Sequence, residues 1–117
     1  MTVPDAELDP LDFGDGPPPL DFGHGVLGRW MVGKDEGPRI GLLYSHPMPT
    51  PPVPGRRCMG SIIFDTPEAR DGAPDHFARG RAVWQLHSLE PLDVSPSLLC
   101  VTCGHHGFVR NGEWVPA

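Results

Sequence analysis

Short apolar segments, each bounded by glycine, proline or polar residues, recur along the chain from residue 26 onward. Apolar runs of roughly four to eight residues between turn formers are typical of β-strands. They cover residues 26–32, 39–44, 59–64, 82–87 and 97–101. Helical character is confined to a short turn near residues 67–70. The pattern therefore predicts a mainly β fold, a small antiparallel sheet without a helix of ordinary length.

The C-terminal segment carries the clearest turn signal. Asn111–Gly112 separates the apolar runs FVR and EWV, and this dipeptide accepts the positive φ angles of a type I′ turn, so we predict a β-hairpin here. By contrast, residues 45–55 (SHPMPTPPVPG) include five prolines. Because proline cannot donate to a sheet ladder, this segment is predicted to be an extended loop. Trp30, Trp84 and Trp114 lie at strand positions and are expected in the core.

The acidic charge of the chain is confined to its first 25 residues. They contain six Asp and Glu and no Lys or Arg, whereas residues 26–117 contain nine acids and nine bases. Because nucleic-acid binding requires a clustered cationic face, the balanced body argues against it. The sequence shows no apolar run of membrane-spanning length and no secretory signal, so we expect neither membrane insertion nor secretion by a signal peptide.

An internal repeat, PLDFGxG, occupies residues 10–16 and 19–25 of this acidic segment. We divide the chain into an extended, Pro/Gly-rich acidic arm at 1–25 and a small β domain at 26–117. Segments of such composition bury too little apolar surface to become ordered alone. The repeat is either a duplication in a solvated tail or a motif that binds a protein partner. In the second case the anchors are the apolar residues of both copies, Leu11, Phe13, Leu20 and Phe22.

Cys100 and Cys103 have the spacing of a zinc knuckle, in which two thiolates separated by two residues reach one ion. Gly104 follows and suits a left-handed turn. His106, three residues after the second cysteine, is the third predicted ligand. A structural zinc site takes four ligands, and Cys58 is the preferred fourth. The alternatives for that position are His46, His87 and His105.

A structural zinc would stabilise a domain that is too short to bury a large core. The cofactor we predict is therefore Zn²⁺, held at a zinc-ribbon-like element in residues 97–117. A thioredoxin-like redox site needs a helix after its CxxC, and here a glycine and a hairpin follow. A zinc deaminase needs an H-x-E motif before P-C-x-x-C, and Leu99 stands where the proline is required. No general base is paired with the site, so we expect no catalytic residues; cysteines buried without metal are the remaining alternative.

Several segments carry a family resemblance: FGHGVLGRW (22–30), His46–Pro47, CMGSIIF (58–64), Trp84 and the stretch from residue 90 to the end. Together they resemble a family of small zinc-knuckle-containing proteins from actinobacterial phages and related mobile elements. The most specific part is the ending PSLLC…CGxHGF…GxW. That family has no established activity, so the resemblance implies a phage origin and no mechanism. The acidic arm lies outside it.

On this basis we expect a non-enzymatic, phage-encoded structural or interaction protein, in particular a virion accessory component of the capsid or tail. Its partners would be proteins, such as other virion subunits, and it would be found in the virion or the host cytoplasm. The alternative is an intracellular zinc-ribbon adaptor that binds and modulates a host enzyme or defence protein. A metallohydrolase is the third interpretation.

Overall fold

The computed structural model describes residues 2–3, 19–33, 37–47, 57–101 and 104–117. Within these residues the chain is mainly β, as the apolar pattern predicts. The strands are β1 Thr2–Val3, β2 Leu20–Asp21, β3 Leu27–Val32, β4 Arg39–Pro47, β5 Arg57–Ile63, β6 Gln85–Leu89, β7 Leu92–Ser95, β8 Leu98–Cys100, β9 His106–Arg110 and β10 Glu113–Pro116. Two short helices, α1 Pro67–Gly72 and α2 Pro74–Ala78, lie between β5 and β6.

The first sheet has the strand order β2-β3-β4-β5, and every neighbouring pair is antiparallel. β4 lies between β3 and β5, with Leu42 opposite Trp30 on one side and Ile62 on the other. Gly41, also within β4, allows a very close approach, because a Cβ atom built there would lie 2.2 Å from the carbonyl oxygen of Ile62. A side chain at this position would therefore force β4 and β5 apart.

The second sheet has the order β1-β8-β9-β10. β9 and β10 form the predicted C-terminal hairpin, and Asn111 and Gly112 at its turn have φ angles of 53° and 76°. Both values are positive, as a type I′ turn requires. β8 pairs antiparallel with β9 and parallel with β1. β6 and β7 form a separate two-stranded sheet.

One main hydrophobic core draws side chains from all three sheets. It includes Leu42 and Tyr44 of the first sheet, Trp114 of the second, and Val94 of β7. Trp84 is the largest fully buried side chain in the described part of the chain, and its indole Nε1 donates a 3.4 Å hydrogen bond to the Ser97 carbonyl. The predicted burial of Trp84 and Trp114 is confirmed, whereas Trp30 is half-buried at the margin of the core.

The predicted loop at residues 45–55 is wrong at its start, because β4 continues through Ser45 and His46 to Pro47. The proline is tolerated because β3 begins at Leu27, opposite Ser45, so that Pro47 has a strand neighbour, Arg57 of β5, on one side only. Residues 48–56 lie outside the described residues. The predicted helical turn is confirmed as α1, where the Thr66 hydroxyl accepts a hydrogen bond from the Ala69 amide. β7 and α2 were not predicted.

The second copy of the repeat packs against the β domain. Leu20 and Asp21 form β2, which pairs with β3, and the Phe22 side chain is buried in the main core. The Phe22 side chain therefore packs within its own domain. The first copy, with Leu11 and Phe13, lies outside the described residues. Neither helix of the described chain has the length and apolar character needed to cross a membrane.

Candidate metal centre

The first sheet brings a histidine and a cysteine together. In the pairing of β4 with β5, His46 stands directly opposite Cys58. Directly opposed residues of an antiparallel pair project their side chains to the same face of the sheet. Both side chains are buried, with relative exposures of 1% and 0%. The backbone register alone therefore places an imidazole beside a thiol in the interior.

The second sheet supplies the third member of the group. Cys100 is the last residue of β8 and is also buried, at 4% exposure. One ligand atom from each of His46, Cys58 and Cys100 can be chosen so that all three lie within 4.8 Å of one another. We call these three residues the His/Cys cluster. It is the place where a metal ion would join the first sheet to the second.

The donors suit zinc in both chemistry and spacing. Two thiolate sulfurs and an imidazole nitrogen are ligands that Zn²⁺ prefers in structural sites. With Zn–S bonds of about 2.3 Å in a tetrahedron, donor atoms lie roughly 3.8 Å apart. The observed upper limit of 4.8 Å thus leaves a contraction of about 1 Å or less for three of four ligands.

The tautomer of His46 is set by its neighbour. The Nδ1 atom lies 3.1 Å from the carbonyl oxygen of Pro47. A carbonyl oxygen can only accept a hydrogen bond, so Nδ1 carries the hydrogen and donates it. In the neutral ring the lone pair is then on Nε2, which is the atom that would bind a metal ion. A backbone carbonyl holding the second ring nitrogen is the usual support of a ligating histidine.

His105 covers the ring of His46. The two imidazoles are stacked with centroids 4.1 Å apart and an angle of 9° between their planes. The His105 ring is also stacked with Trp114, with centroids 4.8 Å apart. The His46 ring is stacked with Tyr44, with centroids 5.6 Å apart. Burial, followed by the charges of His46 and His106, lowers the pKa of His105 to about 4. His105 is therefore neutral near pH 7 and packs as an aromatic ring.

The connection between β8 and β9 is anchored at both ends. The Gly104 amide donates to the Cys100 carbonyl at 2.8 Å, and the Cys100 amide donates to the His105 carbonyl at 2.8 Å. Gly104 has a φ angle of +76°, so the predicted left-handed turn is confirmed. Residues 102 and 103 lie outside the described residues. The predicted ligand Cys103 therefore stays a prediction from its CxxC spacing.

Some of the other predicted ligands lie in the His/Cys cluster and some lie outside it. Cys58 and Cys100 belong to the His/Cys cluster, and so does His46, one of the alternatives. His106 stands opposite Leu99 in the pairing of β8 with β9, and since successive residues of a strand face opposite sides, it does not share the face of Cys100. Its Nε2 atom instead lies 2.8 Å from the Ser97 hydroxyl. The exposed His87 similarly lies 2.7 Å from the Ser95 hydroxyl.

From the sequence, His46 is only an alternative for the fourth ligand, because the prolines that follow it predict a loop at this position. The signal that could have found it is the alternation Leu42, Tyr44, His46, which puts the three side chains on one face of β4. Leu42 and Tyr44 are both in the main core, so the next residue of the series is expected to be buried too. A buried polar side chain at the end of an apolar series needs a partner.

Arg57 strengthens the end of the strand pair that carries the cluster. Its Nε donates to the Ser45 hydroxyl at 2.7 Å and its NH2 group donates to the Ser45 carbonyl at 3.1 Å. The same NH2 group also donates to the carbonyl of Gly25 in the turn before β3. Burial lowers the pKa of Arg57 from its usual value. The guanidinium therefore ties β4, β5 and the β2–β3 turn together next to Cys58.

Comparison of the chain with protein-family models, curated proteins and solved structures found no match.

Proposed function

We propose that this protein is a non-enzymatic β-structured interaction module whose two four-stranded sheets are joined by a structural zinc ion. The observation that carries the proposal is the convergence of His46, Cys58 and Cys100, all buried, from two different sheets. His46 would bind through Nε2 and the cysteines through their sulfurs. Cys103 is the fourth ligand that the CxxC spacing predicts. When bound, the ion supplies a cross-link between sheets and thus folding free energy.

The burial of the cluster supports a structural rather than a catalytic ion. A catalytic zinc keeps one coordination position open to water and substrate. The cluster residues have exposures of 4% or less, which leaves no approach for a substrate to these three donors. The stacking of His105 on His46 covers the imidazole as well. A site of this kind stabilises a surface that acts elsewhere on the molecule.

The test is metal content with and without individual ligands. We expect the protein purified without a metal-affinity tag to contain one zinc per chain by elemental analysis. Cys58→Ser, Cys100→Ser and His46→Asn should each reduce this content severalfold. Cobalt substitution should give sulfur-to-metal charge-transfer bands in the near ultraviolet and d–d bands of a tetrahedral site in the visible, since the donors are thiolates.

Two histidine variants serve as matched controls. His87→Asn replaces an exposed histidine that is bonded to Ser95, so zinc content should be unchanged. His106→Asn tests the ligand that the sequence predicts. Full zinc content in this variant agrees with the His/Cys cluster, whereas loss of zinc would support His106 as a ligand in place of His46. Wild-type protein that contains no metal and takes up neither Zn²⁺ nor Co²⁺ refutes the proposal.

We propose that the module acts as a virion accessory protein, the role that the family resemblance implies. The alternative is an intracellular adaptor. Because Phe22 of the second repeat is buried, we propose that a protein partner would bind the first repeat through its apolar residues Leu11 and Phe13. Mass spectrometry of purified virions for this polypeptide tests the first setting. Its absence from virions that are assembled in cells expressing it would favour the adaptor.

A further inference from the structure

An ion can reach the His/Cys cluster only if part of the protein moves. His46 is 1% exposed, Cys58 is 0% exposed and Cys100 is 4% exposed. The strands of His46 and Cys58, β4 and β5, are held in a continuous ladder that runs from Gly41 to Pro47 on one strand and from Arg57 to Ile63 on the other. Opening that ladder would break the first sheet, so the route must lie along a weaker element.

The first strand of the chain is such an element, and it lies beside the cluster. β1 pairs in parallel with β8, with Thr2 opposite Leu99 and Val3 opposite Cys100. It also contacts β5, the strand that carries Cys58. The backbone of residues 2–3 therefore lies against both cysteine-bearing strands, at the edge of the second sheet.

Of the strands that carry or border the cluster, β1 is also the one best suited to open by itself. It has two residues and one strand partner, whereas β8 and β9 each have neighbours on two sides. Short edge strands held by few hydrogen bonds detach at low free energy, far below that of global unfolding. Release of residues 2–3 would free the backbone of Leu99 and Cys100 on the side of β1, while the first sheet and the pairings of β8, β9 and β10 stay intact.

From this arrangement we infer that β1 is a strap over the metal site, and that its detachment from β8 limits how fast the ion enters and leaves. The inference rests on the proposed zinc site and adds its regulation. Conditions that hold the N-terminus against β8 keep the ion in place, and conditions that draw it away permit exchange. A protein that binds the N-terminal arm would thereby speed up metal exchange.

The experiment compares metal release from the zinc-loaded full-length protein with the strap intact or weakened. A chromogenic chelator such as 4-(2-pyridylazo)resorcinol, in excess, reports release in a stopped-flow instrument. Thr2→Pro/Val3→Pro removes both backbone N–H groups of β1, and since successive N–H groups of a strand point to opposite sides, one of them donates toward β8. The control, Glu7→Pro/Leu8→Pro, places the same two prolines in the following segment and keeps residues 2–3.

We expect release to be about tenfold faster, or more, in the strap variant, as the loss of one or two ladder hydrogen bonds would give. Release from the control should match the wild type within twofold. If the double-proline variant fails to fold by circular dichroism, Thr2→Gly/Val3→Gly provides the weaker perturbation, with a severalfold acceleration expected.

Metal bound in full stoichiometry, with release equally fast in wild type, strap variant and control, overturns the strap and leaves the zinc site standing. Equal acceleration in the strap variant and the control also overturns it, because the effect would then come from proline in the arm. A wild-type protein that binds no metal overturns both this inference and the proposed function.

Discussion

Replacement of Gly41 by alanine tests how closely β4 and β5 approach. The Cβ atom of the variant would lie 2.2 Å from the carbonyl oxygen of Ile62 and 3.2 Å from Cδ1 of Ile63. Relief of the first contact requires β5 to move by about 1.2 Å, because an ordinary carbon–oxygen contact is near 3.4 Å. The contacting atom belongs to the backbone of a buried strand, so no side-chain rotation can relieve it.

The expected loss of stability follows from these contacts. Overpacking in a buried site costs about 1–3 kcal/mol, and a displaced strand weakens one or two ladder hydrogen bonds at about 1 kcal/mol each. Alanine recovers about 0.5–1 kcal/mol, because it restricts the unfolded chain more than glycine does. The free energy of unfolding should therefore fall by about 1–4.5 kcal/mol, with a central value of about 3 kcal/mol, a large share of the roughly 5–15 kcal/mol of a typical domain.

The assay is urea denaturation followed by tryptophan fluorescence, with a chelator present so that metal binding does not contribute. For an m-value of about 1.5 kcal/mol/M, the central loss of about 3 kcal/mol should shift the midpoint by roughly 2 M. Gly33→Ala is the matched control, since its nearest atom, the Pro38 carbonyl oxygen, is at an ordinary 3.8 Å. The reasoning fails if Gly41→Ala unfolds within about 0.5 kcal/mol of Gly33→Ala.

Three further predictions concern the core, a helix cap and the hairpin. Trp84→Ala should lower the free energy of unfolding by about 3–5 kcal/mol, since Trp84 is 1% exposed, and by clearly more than Trp30→Ala at the core margin; chemical denaturation of both variants measures the difference. Thr66→Ala removes the acceptor for the Ala69 amide and should cost about 1 kcal/mol, seen as a lower Tm that Thr66→Ser largely restores. Asn111→Val places a β-branched residue at a φ of 53° and should destabilise the protein by about 1–2 kcal/mol; calorimetry should show Asn111→Gly close to wild type, and an equal loss in both would contradict the turn argument.

The strands and the C-terminal hairpin could be predicted because local rules and tertiary structure agree there. Asn111–Gly112 favours a type I′ turn by its own backbone preferences, and the apolar runs on either side need only pair with each other. The strand boundaries differ from the predicted ones by up to three residues: the predicted strand at 82–87 is observed at Gln85–Leu89. A short apolar run predicts the presence of a strand more reliably than it predicts the residues at which the strand begins and ends.

The sequence analysis chose two residues of the His/Cys cluster, Cys58 and Cys100, as ligands and named His46 only as an alternative. CxxC spacing identifies Cys100 from local sequence, but the remaining ligands depend on strand pairing over long distances. The proline count after residue 45 indicated a loop, whereas pairing with β5 extends β4 to Pro47 and buries His46. His106 was chosen for its distance from Cys103 along the chain, while the register with Leu99 decides its face. Neither register can be read from composition or local spacing.

The cluster residues are far apart along the polypeptide, and this has a consequence for how the protein is made. His46 and Cys58 are part of one strand pair, but Cys100 follows 42 residues after Cys58. On a ribosome, the nascent polypeptide therefore holds only two of the three donors until β8 has left the exit tunnel. Capture of the proposed zinc ion is expected after the first sheet has been made, so cells short of zinc would accumulate chains in which the first sheet has formed and the second has not docked.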